Sequence, residues 1–125
     1  MSGVTLDAGA LIALDRNDRR VLVLLARARE LGARVTVPAT ALAQAIRRPV
    51  AQARLARLIR QPTTDVRSLD VVDATSVGIL LGASRTKDVA DAHVVICAKR
   101  AKQAILTGEP DDLLRLDPFA SLVRL

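Results

Sequence analysis

Residues 4–14, Val4-Thr5-Leu6-Asp7-Ala8-Gly9-Ala10-Leu11-Ile12-Ala13-Leu14, decide how the chain is read. Val4 to Leu6 make a short buried strand that ends on a carboxylate at Asp7. Residues 8–14 follow it as a short helical turn. Downstream, Asp18 stands where it can cap a helix over residues 21–31, whose apolar residues recur at helical spacing until Gly32. Residues 33–37 predict a second strand, closed by Pro38, and residues 40–47 a helix that ends before Pro49. Residues 50–59 repeat Leu and Ile at three- and four-residue steps with Arg54 and Arg57 between them and Arg60 just after. That pattern predicts one amphipathic helix with a basic outer face.

The alternation continues to the end of the chain. Residues 65–69 predict a third strand, and Asp70 a cap for a helix over 74–81 that breaks at Gly82-Ala83-Ser84. Asp88 can cap a helix over 89–101. Residues 104–106 predict a fourth strand, 107–110 a turn, 111–114 a short helix start, and Leu122-Val123 a last strand. Short apolar strands alternating with helices predict an α/β protein, a three-layer α/β/α sandwich with a mostly parallel central sheet, as a single domain over residues 1–125. In such sheets the functional crevice lies outside the carboxyl ends of the strands, where Asp7 and Glu109 fall.

Composition narrows the classes. The 125 residues are half hydrophobic, yet Phe119 is the one aromatic, so the core must be aliphatic. A single cysteine, Cys97, cannot form an internal disulfide. No stretch reaches the length of a membrane span, and an N-terminus without a basic start, interrupted by Asp7, argues against a secretory signal, so a cytoplasmic protein is expected. The net charge of +6 favours a polyanionic partner or an acidic protein, although a solvated basic surface accounts for it equally.

The carboxylates break that tie. Asp7 follows a strand, Asp88 and Asp91 lie three apart at a helix start, and Glu109, Asp111 and Asp112 crowd the loop after the fourth strand. Crowded carboxylates raise one another's pKa, and a bound Mg²⁺ or Mn²⁺ reverses that cost. Such an ion can activate water and stabilise a phosphodiester under attack, while a basic rim holds the nucleic-acid backbone. Each acid also has a plainer reading: Asp88 as an N-cap, Asp111 and Asp112 as a helix start, Asp7 as a turn residue. Their coincidence at strand ends favours the metal reading.

These residues resemble a known family. Residues 5–14, TLDAGALIAL, resemble the opening motif of PIN domains, and residues 88–98, DVADAHVVICA, their third motif, with Asp91 in the acidic place beside Asp88. Residues 105–116, ILTGEPDDLLRL, resemble the closing motif, with Thr107 as its hydroxyl and Glu109 and Asp111 as its acids. Residues 37–48, VPATALAQAIRR, lie where the second motif belongs. The ordered set spans almost the whole chain and is similar to VapC-type toxins of bacterial toxin–antitoxin pairs. The resemblance implies a Mg²⁺- or Mn²⁺-dependent endoribonuclease that cuts structured RNA such as tRNA, forms a homodimer and is silenced by a cognate antitoxin. It implies metal binding by Asp7, Asp88, Asp91, Glu109 and Asp111, with Gln44 joining the catalytic set. Two positions depart from the family pattern: Gln44 stands where a Glu is usual, and Glu109 where an Asp is usual. The first implies weaker metal binding.

The remaining candidates carry plainer readings. His93 can serve as a base or sit in the structure, and Cys97, four residues on, has metal-like spacing but lacks a third partner in sequence. Thr107 can bond a carboxylate or close the turn. Lys87 and Arg47, Arg48, Arg54, Arg57 and Arg60 can contact RNA or an antitoxin, or simply be solvated. A second reading is a catalytically weakened PIN domain that binds RNA or a partner. A third class, the acidic phosphatases and receivers, fails on Gly9, where the phosphatase needs an acid, and on the poor placement of Asp70.

Overall fold

The computed structural model describes residues 3–125. Five strands form one sheet: β1 (Gly3–Leu6), β2 (Arg34–Pro38), β3 (Thr64–Arg67), β4 (Ala104–Thr107) and β5 (Leu122–Arg124). Their order is β3-β2-β1-β4-β5, and every pairing is parallel. The helices between them are α1 (Ala8–Asp15), α2 (Arg19–Glu30), α3 (Ala39–Ala45), α4 (Ala53–Arg60), α5 (Val71–Ser84), α6 (Val89–Ala101) and α7 (Pro110–Leu116). The α/β sandwich with a parallel sheet expected from the sequence is the observed architecture.

Strand order fixes the layers. From β1 the chain steps one way to β2 and β3, then crosses back to β4 and steps the other way to β5. Right-handed crossovers place the helices of the first run on one face and those of the second on the other. Accordingly α2 packs on β2 and α4 on β3, while α6 lies against β1, β2 and β4 and also touches α3, α5 and α7. The direction changes between β1 and β4, so their carboxyl ends open the crevice of the sheet.

Burial explains why these sequences form these elements. Val4, Thr5 and Leu6 on the central strand are all fully buried, as a parallel strand covered on both faces requires. The hydroxyl of Thr5 donates to Gln103 Oε1 at 2.8 Å, so its burial leaves no orphan. The largest buried side chains include Leu6, Leu11, Leu55, Ile105, Leu106 and Leu113, and the one aromatic, Phe119, lies on the surface. In α6, Ala90, Ala92, His93, Val94, Val95, Cys97 and Ala98 are buried, so its sequence shows no polar face.

The capping readings hold. Side-chain oxygens of Asp18, Asp70 and Asp88 accept from backbone N–H groups in the first turns of α2, α5 and α6, and Asp7, read as a turn residue, caps α1 in the same way.

Ends shift by a residue or two in several elements, as in β3, and two stretches depart further from expectation. The stretch over 50–59 is not one helix. A 3₁₀ turn over Pro49–Ala51 precedes α4, and the break falls at Gln52. The buried Gln52 amide accepts from the N–H groups of Arg47 and Arg48 and donates to the Ala45 carbonyl, closing the end of α3 instead of continuing a helix. The helix expected over 74–81 runs over Val71–Ser84, straight through Gly82. Contacts of α5 with α6 and α7 outweigh the cost of glycine in a helix, about 1 kcal/mol each. Among the described residues, no helix is long and apolar enough to cross a membrane.

Candidate active site at the carboxyl end of the sheet

β1 delivers Asp7 to the crevice and β4 delivers Thr107 beside it. Asp7 is 2% exposed, yet it is a carboxylate that ends a strand and starts a helix. Its Oδ1 accepts from the Ala10 N–H at 2.8 Å, and the Thr107 hydroxyl bonds to it as well. Thr107 Oγ1 in turn accepts from the Glu109 N–H at 2.8 Å. The threonine thus ties the end of β1 to the loop after β4. Gly9 lies beside the site, where a Cβ would stand 3.4 Å from Asp7 Oδ1.

Asp91 comes to the same place from the first turn of α6, where its N–H donates to Asp88 Oδ1 at 2.9 Å. Its carboxyl is half-buried and is pushed up to about 7, first by burial, then by the charges of Asp88, Asp7 and Asp112. Burial also raises Asp7, against the lowering effect of its hydrogen bonds, and Glu109 adds to the rise. Acids from the end of β1, the start of α6 and the start of α7 therefore sense one another's charge. A cleft of about 190 Å³ beside them is lined by Asp88, Asp91 and Asp112, with Lys87 and Arg115 also on it.

The expected residues divide accordingly. Asp7, Asp88, Asp91 and Glu109 are joined by hydrogen bonds or mutual charge. Asp111 is exposed in the first turn of α7, and the aspartate there whose charge acts on Asp91 is its neighbour Asp112. Gln44 is exposed on α3. His93 projects from the other side of α6, fully buried, and shares a 2.7 Å hydrogen bond with Thr40. Cys97 is buried, and burial followed by the Asp73 charge pushes its thiol up to about 11. Arg115 was not anticipated from the sequence. Its three-residue step from Asp112 along α7 was the available signal.

The donor set fits a hard divalent cation. All its ligand atoms are carboxylate oxygens, and one, Asp91, is pushed up to about 7 first by burial and then by its neighbours' charge, a cost that a cation offsets.

No family model matches the sequence, and no curated protein matches it. Among solved structures, the crystal structure of VapBC2 from Rickettsia felis bound to a DNA fragment from their promoter is similar to this chain, with a TM-score of 0.69 at 11% identity. The match covers 98% of this chain and 98% of that one. At that identity the likeness speaks for the fold, and the five-stranded parallel sheet flanked by helices is the PIN-like fold of the VapC neighbour.

Proposed function

We propose that the chain is a metal-dependent endoribonuclease, the toxin of a type II toxin–antitoxin pair, and that it cleaves structured RNA such as tRNA in the cytoplasm. The observation that carries this reading is the convergence of Asp7 and Asp91 from β1 and α6 at the point where the sheet changes direction.

Asp7, Asp91 and Glu109 would hold the ion, Mg²⁺ or Mn²⁺, with Asp88, Asp111 and Asp112 around them. Such an ion supplies a Lewis acid for the phosphodiester and a water of lowered pKa. Thr107 is a positioning residue: its hydroxyl orients Asp7 and its oxygen anchors the loop that carries Glu109. Lys87 and Arg115, beside the acids, bind backbone phosphate. Asp91 holds a proton near neutral pH and releases it when positive charge arrives. Single-turnover cleavage of a total tRNA pool in Mg²⁺ or Mn²⁺ tests the reading, with cleavage expected from the native chain and none from Asp7→Asn.

A second reading, a weakened PIN domain that binds RNA or a partner, is favoured by the exposed Gln44, the neutral residue in the second motif. Under it, neither the native chain nor Gln44→Glu cuts RNA.

The antitoxin surface belongs to α2 and α4. A groove of about 460 Å³ between them is lined by Leu14, Leu22, Leu25 and Leu58, with Arg29 and Arg57 also on it. That combination suits an acidic amphipathic helix. A homodimer through α5 accounts for its exposed Val71, Val72 and Ile79, beside Gly78 and Gly82, which leave open space outside the helix.

A further inference from the structure

We infer that Asp73, His93 and Cys97 form a second cation site, separate from the carboxylate cluster, that takes a borderline-soft divalent ion, zinc. Asp73 lies in the first turn of α5, and His93 and Cys97 stand one turn apart on α6. One ligand atom from each lies within 4.8 Å of the others, and all three residues are buried.

His93 is the decisive observation. The residue is 0% exposed, and its Nε2 has no hydrogen-bond partner. A buried polar nitrogen left unpaired loses its hydration with nothing in exchange, so an orphan of this kind calls for an explanation. Nε2 faces Asp73 Oδ2 at 3.6 Å, too long for a hydrogen bond. Two ligands about 2.0–2.1 Å from a shared tetrahedral ion are themselves about 3.4 Å apart. The other ring nitrogen, Nδ1, is bonded to Thr40 Oγ1 at 2.7 Å. When Nδ1–H donates to that oxygen, the lone pair of Nε2 points at the would-be ion, the tautomer that metal-bound histidines adopt.

The surroundings agree. Asp73 gives its other oxygen, Oδ1, to Arg100, so Oδ2 remains for a metal. The Cys97 thiolate and the Asp73 carboxylate supply two negative charges and His93 a neutral nitrogen, with the Arg100 cation held on the far oxygen of Asp73. A cleft of about 240 Å³, lined by Arg67, Ser68, Asp70, Asp73, Cys97 and Arg100, reaches two of the three ligands and offers a route in and room for a water as fourth ligand. Binding replaces the Cys97 S–H bond by a Zn–S bond and releases one proton to solvent. Sulfur and nitrogen donors separate this site from the all-oxygen cluster, which prefers harder ions. Its effect is to clamp α5 to α6 at the helix that also carries Asp91.

The inference stands whether or not the chain cleaves RNA. The test is titration of the metal-free full-length chain with Co²⁺, followed by displacement with Zn²⁺. One equivalent of Co²⁺ is expected to give a thiolate-to-cobalt charge-transfer band that Zn²⁺ abolishes. Cys97 is the one cysteine in the sequence, so that band in the unmutated protein reports this residue and no other. The band should persist in Asp7→Asn and vanish in Cys97→Ala, while Thr40→Val weakens binding about ten- to a hundredfold. A folded native chain that takes up cobalt without the band overturns the inference, as does loss of the band in Asp7→Asn.

Discussion

Two clusters of ionisable side chains share α6 and begin two residues apart, Asp91 at the carboxyl end of the sheet and His93 in the packing against α3 and α5. The first gathers carboxylates beside a cleft, where burial and then neighbouring charges raise the proton affinity of Asp91 and Asp7. The second is buried, mixes oxygen, nitrogen and sulfur, and leaves one nitrogen without a partner. Strain in the first is electrostatic and is relieved by any cation that bonds to oxygen. In the second it is a missing bond, which an ion accepting all three donor types would complete. A single helix thus offers two donor sets, because residues two apart face opposite sides.

Asp7→Asn should separate the two sites most sharply. Asn retains the N-cap of α1, so the fold should persist while RNA cleavage falls about a thousandfold or more, the scale expected when metal chemistry is removed. Cleavage by single turnover together with the cobalt band of the same protein checks it. Loss of both signals would make the two clusters one unit.

The carboxylate cluster should also reveal itself through pH. Folding raises Asp91 from 3.8 to about 7, so its protonated form is the one favoured by the fold. The stability this provides is complete below about pH 4 and is lost as pH rises through 7. Asp7 acts in the same direction, whereas the lowered Asp18 and Asp65 act below about pH 4 and do not offset it. Metal-free protein should therefore melt lower at pH 8 than at pH 5.5, by about 1–2 kcal/mol after discounting a half-buried group for solvent screening. Mg²⁺ should restore the loss at pH 8, and Asp91→Asn should flatten the profile. A flat profile in the native chain would mean that these acids do not interact.

Arg100→Leu tests the second cluster by the same logic. It leaves Asp73 without its cation, and because Arg100 is more than half exposed the cost should be about 1–2 kcal/mol. Thermal melts with and without Zn²⁺ should show the loss restored by zinc and unaffected by Mg²⁺. Equal rescue by both ions would erase the distinction between the clusters. The smallest effect should come from Gln44→Glu. Its side chain is exposed, so an added charge acts through water and should tighten Mg²⁺ by about fivefold or less.

The sequence carried the fold far because its signals are local. Val4-Thr5-Leu6 reads as a strand, and Asp18, Asp70 and Asp88 mark helix starts, because a cap acts on backbone N–H groups two or three residues away. Boundaries were lost where distant packing acted. Gly82 did not end α5 once α6 and α7 lay against it, and Gln52 broke a helical pattern by turning its amide back to the end of α3. Motif order pointed to Asp7, Asp91 and Glu109, which the fold brings to the same end of the sheet. Motif spacing singled out Asp111, yet of the two aspartates that start α7 it is Asp112 whose charge, after burial and the charges of Asp88 and Asp7, reaches Asp91.

His93 and Cys97 show the same division most clearly. Their four-residue spacing was visible in the sequence, but a pair of donors on a helix does not make a site. Asp73 lies twenty residues before His93, and nothing local links the two. By itself, then, the sequence determined the alternation of strands and helices, the helix caps and the acids at strand ends, all set by neighbouring residues. The tertiary structure alone decided which acids share a cleft, and that α5 brings a third ligand to α6, because both depend on side chains packed together across a sheet and between helices.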